Sequence, residues 1–346
     1  MKKIWTVIPA AVIVVAMGLV VGLTEINAVI WSPGTAVNVV DVEDADPVIQ
    51  IEGGTDVPSG QILATAMTQS APDATVTLRG VIMGYFMPNR DVVPRDAVYS
   101  SGQSASDVAD ARRTAIESSR DQALAAAVGQ AGMDVLERPK VQSIRPNGPA
   151  FGILQPGDFI VSIDNRPMSA PSDVVTYIRS KKVGDQVVLK ILRDGAPLTL
   201  TIAQLAGSST NNTIPTMGAP VGTGYSYAPE IRIGTDVDQG DPAQSLALAL
   251  GTYELLTNRD DTAGQILAAT GVVAPDGTVS SVSGINEHAL SAWSSGAVVL
   301  FISSDNCSDI TLSRFPGMAV VPVTSLDEAV TALRDYAGGS TTLPSC

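Results

Sequence analysis

His288 is the only histidine in this chain, so a histidine-borne proton transfer has one possible carrier and a multi-histidine metal centre is excluded. Lysines are also few: Lys2, Lys3, Lys140, Lys181, Lys182 and Lys190, with none beyond position 190. Ser245, near the head of an apolar helix, makes a Ser245/His288 pair conceivable as nucleophile and base. Two carboxylate pairs, Asp236/Asp238 and Asp260-Asp261, have the chemistry to ligate a hard cation. In 346 residues with 35 acidic against 21 basic side chains and a net charge of −14, they read as solvated acidic loops, and no metal is assigned. The same charge argues against a nucleic-acid partner, and no Gly-x-x-x-x-Gly-Lys-Ser/Thr loop is present to hold ATP. No cofactor is implied. Cys307 and Cys346 are the two cysteines. Paired, they would close a loop of about 40 residues, for roughly 4 kcal/mol of chain entropy; unpaired, they are two thiols.

The elements that must position these groups can be read in outline. Hydrophobic residues are 45% of the chain and aromatics 4%, so the cores are built from Val, Leu, Ile and Ala, and the length suggests two or three domains. Residues 32–93 read as short strands, at Val37–Val42, Val48–Ile51, Gly60–Met67 and Ala74–Leu78, punctuated by Gly and Pro. From Ser104 to Gln130 there is no Pro and no Gly before Gly129, which predicts one long helix ending at Gly129 or Gly132. Residues 207–228, rich in Gly, Ser, Thr, Asn and Pro, read as linker. Beyond them come a strand at Ile231, a Gly240-Asp-Pro242 turn and an apolar helix to Leu256.

Ile4 to Leu23 carries no charge over 20 residues, about the thickness of a bilayer's hydrocarbon core when helical. A cleaved signal peptide has a shorter apolar region and a small-residue site, whereas Ile26-Asn27-Ala28 puts a bulky residue where a small one is needed. The expectation is a single-pass signal anchor in the cell membrane, with lipid contact through residues 4–23. Lys2 and Lys3 hold the N-terminus in the cytoplasm and the bulk of the chain lies outside; Trp5 and Trp31 flank the span.

Val141-Gln-Ser-Ile-Arg-Pro-Asn-Gly-Pro-Ala150, the Pro156-Gly-Asp158 turn with its apolar strand, a short helix near Ser172–Ser180 and Arg193-Asp-Gly195 in a final hairpin together resemble a bacterial PDZ domain. PDZ domains take an extended peptide as an added strand beside a helix. The resemblance implies a groove between Val141, Ser143 and Ile144 on a strand and Val174, Val175 and Ile178 on the helix, for peptide or unfolded-protein segments.

The remaining motifs, Gly240-Asp-Pro-Ala-Gln-Ser245, Ala269-Thr-Gly-Val-Val-Ala-Pro-Asp-Gly-Thr-Val279, Ser283-Gly-Ile-Asn-Glu-His288 and Val298 to Asn306, resemble in order the proteolytic domain of membrane-anchored, PDZ-containing Lon-like serine peptidases. The fold class implied is α+β: an N-terminal transmembrane helix, then a Lon-protease-like (ribosomal-protein-fold-like) α/β domain with an inserted PDZ domain. Its divisions would be 1–31 for the tip and anchor, 32–134 and 229–346 for the two parts of the Lon-like domain, 135–206 for PDZ and 207–228 for the linker. The family's chemistry uses a serine after a Gly-Pro turn and a lysine base after Gly-Gly-Ile. Aligned on Pro242 and on Gly284-Ile285, those positions hold Ala243 and His288, so the dyad is degenerate, and Asp241 would oppose an oxyanion. Ser245, two residues on, points about 200° round the helix from Ala243. The resemblance thus implies a pseudoprotease or adaptor, alone as a homo-oligomer or beside an active peptidase relative. The alternative is an ATP-independent serine endopeptidase of the envelope.

Overall fold

The structure is a computed structural model describing residues 4–41, 47–52, 58–87, 89–100, 102–207, 213–234, 240–340 and 342–346, with backbone alone for 4–11, 13 and 14. Lys2, Lys3, Asp236 and Asp238 lie outside the described residues. The chain forms two units, one from residues 1–130 and 232–346, the other from 131–231.

The first unit opens with helix α1, Ile4–Leu23. Among the described residues no helix is long and apolar enough to cross a membrane. The helix therefore forms where expected, but the transmembrane assignment is not borne out and returns below only as a proposal. Strand β1 (Ala28–Pro33) is followed by β2 (Val37–Asn38), β3 (Gln61–Ala64) and β4 (Met67–Gln69). The expectation of strands throughout 32–93 then fails at helix α2 (Leu78–Phe86), which Thr77 starts by accepting the Gly80 N–H at 3.3 Å from an extended backbone. Strand β5 (Asp91–Pro94) pairs with β1 on the side opposite β4. Helix α3 (Ala105–Gln130) begins with a reciprocal cap: Ser104 Oγ accepts the Asp107 N–H and Asp107 Oδ2 accepts the Ser104 N–H, each at 3.1 Å.

The second unit is an antiparallel sheet closed by one helix. It comprises β6 (Leu136–Val141), β7 (Phe159–Ile163), α4 (Pro171–Arg179), β8 (Val187–Arg193), β9 (Ala196–Ile202), β10 (Ala206–Gly207), β11 (Pro215–Thr216) and β12 (Val221–Ser226). The sheet order is β9-β8-β7-β6-β12, with β10 and β11 forming a separate pair. Asp194 and Gly195 join β8 to β9 with φ of 49° and 74°, the consecutive left-handed conformations of a tight hairpin. Val141, Leu154, Ile160, Ile163, Val174, Ile178, Leu189 and Ile191 form the core. The expected linker at 207–228 is a correction: these residues supply β11 and the edge strand β12, because the glycines there serve close packing rather than slack. A Cβ on Gly224 would stand 2.8 Å from the Phe159 ring, and one on Gly222 would overlap the Gln142 side chain.

The chain then completes the first unit with α5 (Ser245–Thr257), β13 (Ile266–Thr270), α6 (Ile285–Ser294), β14 (Val299–Ser303), β15 (Ala319–Val323) and α7 (Leu326–Ala337). Its main sheet has the order β15-β14-β13-β3-β2, parallel except for β2. Strand β3, made before the second unit, lies beside β13, made after it, with Ile62 opposite Leu267. Ala-rich faces of α3 and α5 pack together, and α5 is buried over nearly its whole length, which explains its lack of a polar stripe. A disulfide joins Cys307 to Cys346 with Cα atoms 5.3 Å apart.

Candidate functional site

In the second unit a groove of about 290 Å³ runs between α4 and the segment 214–221. Val174, Val175, Ile178 and Arg179 form the helical wall, Ile214 to Val221 the opposite wall, and Arg145 lies at its edge. The helix residues predicted from sequence are thus here, but Val141, Ser143 and Ile144 are not. Strand β6 is interior to the sheet: Val141 stands opposite Val221 on one side, and on the other its N–H donates to Asp158 O at 2.8 Å. Ser143 is exposed outside the groove, and Ile144 packs against the core.

The strand that borders the groove is instead β12 and its approach. Gln142 N–H donates to Pro220 O, Arg145 N–H to Gly218 O and Ala150 N–H to Met217 O, all at 2.9 Å, so one edge of 217–220 is anchored to 142–150. Antiparallel alternation then turns the peptide groups of Val221 and Thr223 away from β6, toward the outer edge of the sheet. Gly218 adopts φ 73°, and a Cβ there would meet Gly148 Cα at 3.1 Å, so only glycine lets the two loops approach this closely. The signal for this wall was the run Met217-Gly-Ala-Pro-Val-Gly-Thr-Gly224, whose glycine content disguised a strand as a linker.

The first unit holds the other set of candidates. Asp241 caps a single turn of 3₁₀ helix, Pro242–Gln244, and its Oδ1 accepts the Ala243 N–H at 3.0 Å. Ser119 Oγ on α3 donates to Pro242 O at 3.0 Å and fixes the turn from behind. Ser245 is buried, donates to Gly271 O at 2.9 Å and accepts the Val273 N–H at 2.8 Å, so both roles of its hydroxyl are taken by backbone. His288 is 1% exposed, with Nδ1 3.0 Å from Thr65 Oγ1 and Nε2 3.8 Å from Asp241 Oδ2. Burial holds its imidazole below the usual value, and the Asp241 carboxylate pulls in the other direction. Ser245 and His288 are therefore committed to different partners. The Ala243 N–H already carries a carboxylate from its own chain, and Ala243 offers only a methyl group. Among the described residues no three His, Cys, Asp or Glu side chains converge on a metal position.

Two buried carboxyls were not anticipated. Glu287, beside His288, is pushed up to about 7, first by burial and then by the neighbouring Asp91 carboxyl. Glu254, in the last turn of α5, is fully buried and pushed up to about 7 by burial, although its Oε2 accepts the Asp261 N–H at 2.8 Å. Its Oε1 has no hydrogen-bond partner. An acid raised in this way keeps its proton in the folded state after the unfolded chain has released it. Its stabilising effect is complete below the ordinary value of 4.5 and is lost as pH rises toward about 7. Glu254→Gln is thus expected to unfold with more difficulty than the parent at pH 8, by on the order of 2 kcal/mol, less than the full shift because the interior relaxes around a buried charge. Urea titrations at pH 8 and pH 4.5 check this; an equal difference at both would contradict it.

A family model described as PDZ domain matches residues 113–203, which include β6 to β9 and end before β12. Among solved structures, the PDZ domain of an SdrC-like protein from Listeria monocytogenes is 28% identical over 24% of this chain and 86% of its own length, with a TM-score of 0.22. That of an SdrC-like protein from Listeria innocua is 28% identical over 27% of this chain and 96% of its own, TM-score 0.22. A protein from Geobacillus thermodenitrificans is 32% identical over 23% of this chain and 90% of its own, TM-score 0.21. No curated protein matches the chain. The chain is a mixed α+β protein that contains a PDZ domain.

Proposed function

We propose that this protein is a membrane-anchored, extracytoplasmic peptide-binding protein, in which a Lon-type scaffold without its dyad carries the PDZ domain as a pseudoprotease or adaptor. The observation that carries the binding function is the groove between α4 and 214–221, with apolar Val174, Val175 and Ile178 on one side and the edge strand β12 beside it. An extended peptide satisfies both at once, its backbone on the strand edge and alternate side chains in the groove. Support for a non-catalytic scaffold is chemical: Ala243 at the nucleophile position, its N–H held by Asp241, and Ser245 bonded twice to backbone. Support for the anchor comes from the sequence, 20 residues without a charge from Ile4 to Leu23.

The test uses the full chain with fluorescent extended peptides and with an unfolded protein. Val175 is 40% exposed on the groove wall, so Val175→Asp leaves the core intact while placing a charge where an apolar side chain would rest. Peptide affinity is expected to fall at least about tenfold, the equivalent of about 1.4 kcal/mol. Unchanged affinity would remove the groove from recognition. Cleavage of the unfolded protein by the parent, abolished by Ser245→Ala, would replace the pseudoprotease with a serine endopeptidase.

A further inference from the structure

Helix α2 is built inside out. Gly80 and Gly84, four residues apart, form its inward face: a Cβ on Gly80 would lie 3.7 Å from Ile30 Cδ1, and one on Gly84 only 2.8 Å from Val92 Cγ2. Leu78 and Val81 are half-buried, but the other large apolar residues face outward, with Ile82 and Met83 about two-fifths exposed and Tyr85 and Phe86 exposed at 82% and 79%. The Tyr85 and Phe86 rings stack edge to face, 5.6 Å between centroids, as an aromatic knob. A helix that rests only on its own domain buries the opposite face, so this surface is shaped for an apolar medium outside it.

Its position identifies that medium. Helix α2 packs against α1, and Leu78 N–H donates to Thr24 O at 2.8 Å, one residue beyond the end of α1. The pairing of Glu25–Ile26 with Val76–Thr77 fixes the two helices at this junction. Near the junction Leu19, Val20 and Leu23 of α1 are also exposed, and Val21 is half-buried. From Leu78 to Arg90 the chain has two arginines, Arg79 and Arg90, both exposed, and no acid, within a protein of net charge −14. Apolar and aromatic side chains bracketed by cations are what an anionic headgroup layer accommodates.

We propose that α2 is an interfacial helix, with Ile82, Met83, Tyr85 and Phe86 immersed in the headgroup region of the bilayer that α1 crosses and Arg79 and Arg90 on anionic headgroups. This rests on the reading of α1 as an anchor, and the experiment separates the two. Cys307 and Cys346 are bonded to each other, so an introduced cysteine is the single thiol for labelling. The full chain is reconstituted in vesicles of anionic lipid, some carrying a quencher on the acyl chain near the headgroup. A polarity-sensitive fluorophore is placed in turn at Phe86→Cys, at Gly18→Cys on α1 and at the exposed Thr311→Cys. The expected result is blue-shifted emission and loss of most fluorescence at positions 86 and 18, with neither at 311. Quenching at 18 but aqueous emission at 86 overturns the interfacial helix and leaves the anchor. Aqueous emission at both overturns both. Blue-shifted emission at 86 without lipid quenching means that a protein surface, a second copy or another chain, covers α2, and also overturns the proposal.

Discussion

Arg193→Ala is expected to destabilise the PDZ unit by about 3–5 kcal/mol, because it strands a carboxylate in the core. Asp158 is 1% exposed and is held by two parallel bonds, Arg193 Nε to Oδ1 at 2.7 Å and a terminal guanidinium nitrogen to Oδ2 at 2.8 Å. The same guanidinium donates to Ile153 O at 3.0 Å, while Asp158 Oδ2 also accepts the Gln155 N–H at 2.8 Å, closing the Pro156-Gly157 turn. Alanine removes the fork and leaves the buried charge with one backbone donor. The double variant Arg193→Ala/Asp158→Asn removes the charge too and is expected to recover part of the loss, giving a large coupling in a double-mutant cycle. The PDZ transition in guanidinium measures both. A single-variant loss below about 1 kcal/mol, the size of a surface pair, would mean that water reaches Asp158 and the pair is not a core element.

Loss of the Cys307–Cys346 bond should produce an effect of similar size in the other unit. The two residues are 39 apart in sequence, and a loop of that length corresponds to roughly 4 kcal/mol of chain entropy removed from the unfolded state. The loop contains β15, the outermost strand of the main sheet, and α7, so the bond restrains both an edge strand and the helix that follows it. Cys346→Ser, or reduction of the parent, is expected to lower the unfolding free energy of the first unit by about this amount, and its midpoint with it, while the PDZ transition stays where it was. The unchanged PDZ transition is the internal control. Equal midpoints for oxidised and reduced protein would show that the bond adds no stability to this unit.

How much of this could be read from sequence depended on how local the cause was. Pro156-Gly-Asp158 and Arg193-Asp-Gly195 were legible because turn chemistry is decided by adjacent residues, and the long helix because its Ser104/Asp107 cap and Gly132, at φ 77°, are punctuation. The wall of the groove was misplaced, since which strand is interior and which is at the edge depends on pairing between residues about 80 positions apart, a register that no local pattern encodes. The 207–228 glycines failed as signals because their role, admitting Phe159, Gln142 and Gly148, exists only after those partners have arrived. Helix α2 escaped notice for a related reason: its inward face is glycine, so the usual apolar periodicity is inverted. At the turn, the capture of the Ala243 N–H by Asp241 is a matter of geometry that the residue types alone leave open.

The place of the PDZ unit within the chain also has a consequence for the order of folding. Strand β3 cannot complete its main sheet until β13 has been made, on the order of 200 residues later, whereas every strand of the PDZ sheet lies within its own segment. A chain synthesised from its N-terminus therefore carries a finished PDZ domain while Ile62 and Leu63 still lack their neighbour. Because Leu136 and Ser226 are opposite one another in the finished sheet, the early domain also brings the two halves of the other unit together. The reduction in closure entropy is small, about 0.5 kcal/mol for a loop roughly halved, so the benefit is one of sequence in time. The exposed interval of β3 is the stretch most open to misassociation, and the inserted domain shortens the search that ends it.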